Sequence, residues 1–115
     1  MTANKLEVTV HYQPNAAVFD LSGELTALAG EALQAAYGAA ENQNPEVIFL
    51  NFASVDYINS TGIAAIISLL ARARQANRSL MAYGLRPFYA ELFEVAGLAN
   101  YMPILSAEAD LLEPA

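Results

Sequence analysis

Two short apolar runs, VIFLNF from Val47 and SLMAYGL from Ser79, flank one amphipathic segment of helical period. This spacing constrains the fold more than any other feature of the chain. A strand, a crossover helix and a second strand of this kind belong to a parallel sheet whose strands are apolar on both faces. Upstream, KLEVTVHYQ alternates Leu6, Val8, Val10 and Tyr12 with polar neighbours, the period-2 pattern of a half-covered strand. The turn-like trio Gln13-Pro14-Asn15 leads into AAVFDLSG, so the first two strands are expected to form a hairpin with the first as an antiparallel edge.

Helical patterns fill the intervals. Leu28, Ala32, Leu33, Ala36, Tyr37 and Ala40 recur at helical spacing up to the polar ENQNP loop. The next helix places Ile63, Ile66, Ile67 and Leu70 on one face, widened by Leu69 and Ala73, with Thr61, Ser68, Arg72 and Gln75 opposite. A third begins at Pro87, carries Phe88, Leu92, Val95 and Ala96, and stops at Gly97. YMPIL reads as a short last strand, and SAEADLLE as a final helix capped by Ser106, with Glu108 or Asp110 in its first turns.

The pattern predicts one α/β domain over residues 1–115: a mixed, mostly parallel sheet of four to five strands, an antiparallel edge strand and about four helices. Right-handed crossovers that step the same way along the sheet put their helices on one face. Because VIFLNF is apolar on both faces, the chain ends or another copy of the protein must cover the second, and a homodimer is among the expectations.

Composition closes several functional classes. The 115 residues, 56% of them hydrophobic, supply one core. No cysteine and a single histidine, His11, exclude disulfides, thiol catalysis and a histidine-based metal cluster. A net charge of -7 without a basic stripe argues against nucleic acid. No apolar run near the ~18 residues of a membrane span and no signal-type start are present, so the chain is expected to be cytoplasmic. No cofactor is implied.

In open sheets of this type, functional groups gather beyond the carboxyl ends of the parallel strands. Two segments qualify as loops there, DLSGELT and FASVDYINSTG. Asn59-Ser60-Thr61 matches a glycosylation pattern, but that reading needs a secretory route, and Asn77-Arg78-Ser79 matches it too. Ser60 reads as a helix N-cap, worth about 1 kcal/mol over alanine. It also reads as a hydroxyl at a helix N-terminus, where a phosphate is favoured. Gly62 beside it leaves room either for an approaching protein or for close packing inside the fold. Tyr57 is an interface anchor or part of the local packing. The best catalytic constellation, Asp20, Glu24 and Asp56 around Ser60, lacks a general base, because His11 lies on the edge strand; no enzyme activity is expected. Those carboxylates read as solvated turn residues rather than metal ligands.

GELT followed by a helix, a buried strand, then NSTGI and GLRPFYAELFEVAGL resembles the STAS domain of bacterial anti-sigma factor antagonists. The resemblance spans nearly the whole chain, with SGEL at Ser22 to Leu25, the D-S-[ST]-G-[LI] site at Asn59 to Ile63, and the last stretch from Gly84 to Leu98. It implies a partner-switching regulator. The unmodified form would bind an anti-sigma factor with GHKL-type serine kinase activity and release the sigma factor. Phosphorylation at Ser60, or less readily at Thr61, would switch it off, and a PP2C-type phosphatase would restore it. The implied partner surface comprises Glu24, Thr26, Asp56, Tyr57, Asn59, Ser60, Thr61, Gly62, Ile63, Ser68 and Arg72. Asn59 stands where the family pattern has an acid, and so does Thr26 at the end of the GELD motif. Other STAS proteins are scaffolds of sensory complexes, subunits of lipid-transport systems or parts of anion transporters, so an unphosphorylated scaffold or ligand-binding module is the alternative.

Overall fold

The hairpin forms where the turn trio predicts it. β1 (Glu7–Gln13) runs antiparallel to β2 (Ala16–Leu25) in unbroken register, from Glu7 opposite Ser22 to Gln13 opposite Ala16. Asn15 turns the chain at φ 62°, a left-handed conformation that asparagine tolerates. The computed structural model describes residues 5–105. After the hairpin come α1 (Ala29–Glu41), β3 (Val47–Ile58), α2 (Ser60–Gln75), β4 (Ser79–Tyr83), α3 (Pro87–Val95), a 3-10 turn (Leu98–Asn100) and β5 (Ile104–Leu105). The helix expected from Ser106 lies outside the described residues.

The sheet has the order β1-β2-β3-β4-β5, antiparallel between β1 and β2 and parallel elsewhere. This is the mixed sheet expected, and every crossover steps the same way. Alternate residues of the strands, Phe19, Leu21, Ile48, Leu50, Phe52, Leu80 and Ala82, share one core with Leu33 and Tyr37 of α1, Ile66 and Leu69 of α2 and Phe93 of α3. The three helices therefore cover one face. The other face of VIFLNF is less covered than its composition suggested: Val47, Phe49 and Asn51 are half-buried among the described residues.

Two helix faces differ from the predicted stripes. In α2 the buried residues are Gly62, Ile66, Leu69, Leu70 and Ala73, while Ile67 is 50% exposed. In α3 Phe93 is buried edge-on to Phe52, whereas Phe88 and Val95 are exposed. Both helices carry apolar residues around more than half their circumference, so periodicity permits two rotations and packing on the sheet selects one.

Most of each segment read as a loop is strand. β2 continues through Leu25 and β3 through Ile58, paired as Ser22 with Ser54, Gly23 with Val55, Glu24 with Tyr57 and Leu25 with Ile58. Two register shifts accompany this extension, and Gly23 takes φ 111° beside the second, a conformation few other residues adopt. Serine, glycine and aspartate made these segments look like turns; the irregular ladder is what accommodates them.

A candidate partner-binding site at the head of the second helix

The extended β3 delivers Asn59, not Ser60, to the N-cap of α2. Asn59 is extended (φ -115°, ψ -177°), and its Oδ1 accepts hydrogen bonds from the Gly62 N–H at 3.0 Å and the Thr61 hydroxyl at 2.7 Å. Its own N–H donates to the Leu25 carbonyl at 3.2 Å, and its carbonyl receives the Ile63 N–H at 3.0 Å. The cap role predicted for Ser60 thus falls one residue earlier. Ser60 becomes the first helical residue, exposed, with no hydrogen bond from its hydroxyl among the described residues.

Gly62 is explained from inside the fold. A Cβ there would lie 1.9 Å from the Leu25 carbonyl oxygen, so any other residue would push the helix off the end of β2. Of the two readings the sequence allowed for this glycine, close packing is the one realised, and its buried position removes it from the exposed surface. Thr61 is exposed but tied to Asn59, and Ile63 is half-buried against the core.

The surroundings come from the strand ends and from α3. Tyr57 is 46% exposed opposite the half-buried Glu24. Thr26 is half-buried and its carbonyl accepts the Ala29 N–H at 3.0 Å, closing the entry to α1. Asp56 meets Arg86 at 3.5 Å, both side chains more than half exposed, an arrangement that contributes little energy. The Tyr89 hydroxyl accepts the Ile58 N–H at 3.2 Å and pins α3 beside the Ser60 turn. Phe88, 70% exposed, stands edge-on to the Tyr89 ring at 5.3 Å between centroids. Sequence reasoning counted Phe88 only among the apolar positions of the third helix and gave Arg86 and Tyr89 no place at the site. Pro87 was the available signal, since a helix that begins there leaves the next residue in an exposed first turn.

Farther along α2, Ser68 is exposed, but Arg72 turns toward α1. Its guanidinium lies 4.3 Å from the Tyr37 ring centroid, donates to Gln34 Oε1 at 2.7 Å and meets Glu41 at 3.5 Å. Its charge is engaged within the molecule. Ile67, Ala71, Arg74 and Tyr101 instead line a shallow apolar depression floored by Leu70, with Arg74 stacked over the Tyr101 ring at 5.1 Å.

The acids considered as a catalytic set are not gathered around Ser60. Asp20 is held by His11 at 2.6 Å and by Asn51 at 2.8 Å on the sheet face away from the helices, and Asp56 is engaged by Arg86. Among the described residues no three carboxylate or imidazole groups are placed to share a metal ion. No helix of the described residues is long and apolar enough to cross a membrane.

A family model described as "Mlab, STAS domain" matches residues 8–111. The chain belongs to the STAS family. An anti-sigma-B factor antagonist of Listeria monocytogenes is 24% identical over 91 residues, covering 79% of this chain and 80% of that protein. The fold is shared with solved structures. An anti-sigma factor antagonist from Mycobacterium paratuberculosis superposes with a TM-score of 0.77 at 18% identity, over 94% of this chain and 92% of its own. The Bacillus cell fate determinant SpoIIAA in its phosphorylated form does so with a TM-score of 0.68 at 20% identity, over 90% and 96%. The kinship supports a regulatory role for this STAS domain. Within this chain Asn59, neutral where the motif resemblance leads one to expect an acid, caps the helix through its amide oxygen.

Proposed function

We propose that this STAS domain is a cytoplasmic partner-switching regulator of the anti-sigma factor antagonist type, controlled by reversible phosphorylation at Ser60. One observation carries the reading: the Ser60 hydroxyl is exposed and uncommitted because Asn59 has taken over the cap. Its partner is an anti-sigma factor with GHKL-type serine kinase activity, and a PP2C-type phosphatase resets it. The partner meets the Ser60 turn, Asp56, Tyr57 and Ser68, and the exposed side chains of Phe88 and Ile67 extend that surface. A phosphate adds a charge of about -1.5 to -2 at this turn. The helix dipole and first-turn N–H groups stabilise it within the free domain. In the complex the same charge must be desolvated against the partner, a penalty of several kcal/mol, where about 1.4 kcal/mol already means tenfold in affinity.

The test is incubation with the cognate kinase and ATP, site mapping by mass spectrometry, and calorimetric titration of the partner. Ser60 is expected to carry the phosphate, and Ser60→Asp to bind more than tenfold more weakly while Ser60→Ala binds as wild type. Absence of modification together with equal binding of both variants would overturn the reading.

A second reading is favoured by the neutral Asn59 and Thr26 and by the Mlab description of the family model. In it the domain is a constitutive subunit, a sensory-complex scaffold or part of a lipid-transport assembly, that uses the same surface without modification. Equal binding of Ser60→Ala and Ser60→Asp to the native partner is its expected signature.

A further inference from the structure

Among the described residues, the sheet ends on one side in the seven-residue β1 and on the other in the two-residue β5. A long edge strand presents unpaired N–H and C=O groups to any incoming strand. Natural edges are blunted by lysine, proline, a bulge or shortness. β1, EVTVHYQ, has none of these: it holds no lysine or proline, and its ladder to β2 runs without a register shift.

The side chains of β1 suit a copy of themselves. Val8, Val10 and Tyr12 point to the helix-covered face opposite Leu21, Phe19 and Ala17, and Glu7, Thr9 and His11 to the other face. A two-fold axis at the strand, with apolar faces kept together, requires antiparallel pairing about a single residue. Centring on Thr9 sets Glu7 opposite His11, Val8 opposite Val10 and Leu6 opposite Tyr12. Centring on Val8 instead puts Lys5 against His11, and centring on Val10 leaves Glu7 against Gln13 with no charged pair. The Thr9 register alone among these three sets a carboxylate against an imidazole alongside apolar matching, and it does so twice by symmetry. His11 already meets Asp20 at 2.6 Å, so Glu7 of the second copy brings a second carboxylate to the same imidazole.

We propose that β1 is a self-recognition edge, to which a second copy of this chain adds antiparallel with the two-fold axis at Thr9, making one continuous sheet. The surface around Ser60 plays no part in this pairing.

The chain contains no cysteine, so single cysteines report the register cleanly. Wild type is expected to show a monomer–dimer equilibrium in sedimentation across the micromolar range. Glu7→Lys, which replaces the carboxylate facing the imidazole by an ammonium at both symmetric positions, is expected to weaken it about tenfold. Under mild oxidation Thr9→Cys should form a covalent dimer at least about tenfold faster than Gln13→Cys, another exposed position on the same face. A mixture of Glu7→Cys with His11→Cys should cross-link faster than Glu7→Cys with Gln13→Cys. Circular dichroism checks that each surface variant is folded. A monomer throughout the range, unweakened association of Glu7→Lys, or cross-linking at Gln13 equal to that at Thr9 would each overturn the proposal.

Discussion

Asn59 concentrates the logic of the site in one side chain. A single amide oxygen receives both the Gly62 N–H and the Thr61 hydroxyl, which starts the helix and leaves the neighbouring serine unoccupied. Aspartate at this position would cap as well as asparagine, because the accepting oxygen and not the charge makes the bond. Asn59→Asp is therefore expected to melt within about 0.5 kcal/mol of wild type, and Asn59→Ala to lose about 1 kcal/mol, in urea titrations followed by circular dichroism. If both variants lost the same amount, a carboxylate oxygen would not replace the amide oxygen at this cap. The residue types were legible in the sequence: a hydroxyl at a helix start, a glycine two residues on. Which of Asn59 and Ser60 carries the cap was not, because both are good capping residues and the choice rests on where β3 ends.

At the scale of the element, α2 presents two apolar stripes with different duties. Ile66, Leu69 and Leu70 are buried against the sheet, and Ile67 stands half exposed beside Ala71, Arg74 and Tyr101. Ile66→Ala is expected to cost about 2–4 kcal/mol in denaturant unfolding, as a large-to-small change in a closed core. Ile67→Lys should change stability by less than about 0.5 kcal/mol yet weaken partner binding at least tenfold in calorimetric titration. An Ile67→Lys variant that unfolds as readily as Ile66→Ala would place this residue in the core after all. The order of strands and helices was readable from period 2 against period 3.6, since it follows from each segment's own composition. The rotation of α2 and α3 was not, because Ile63, Ile67, Phe88 and Val95 extend the apolar arc beyond what the sheet can cover. The strand character of VDYI and SGEL was hidden for a related reason: polar residues are tolerated there by a parallel ladder with two register shifts.

Across the whole molecule, two of the four arginines, Arg72 and Arg78, are turned inward, and with a net charge of -7 the exterior is acidic on balance and suited to a partner with a basic surface. Arg78 is the deepest of them, 8% exposed between the end of α1 and the start of β4. Its Nε donates to the Pro45 carbonyl at 2.9 Å, Nη1 to the Tyr37 hydroxyl at 2.7 Å and Nη2 to Asn44 Oδ1 at 2.9 Å, while Glu41 stands 3.4 Å away. It joins α1, the α1–β3 connection and β4 into one cluster. Glu41 is 46% exposed, so water replaces much of what that carboxylate supplies, whereas the Tyr37 side is closed to solvent. The energies should therefore rank by burial of the lost contact rather than by charge. Glu41→Gln is expected to cost less than about 0.5 kcal/mol, Tyr37→Phe about 1 kcal/mol, and Arg78→Met about 2–3 kcal/mol, since methionine fills the space but strands a carbonyl and a hydroxyl without partners. Urea unfolding of the three variants measures the ranking. A Glu41→Gln loss as large as that of Arg78→Met would mean that the ion pair, not the buried hydrogen bonds, holds the start of β4 to α1.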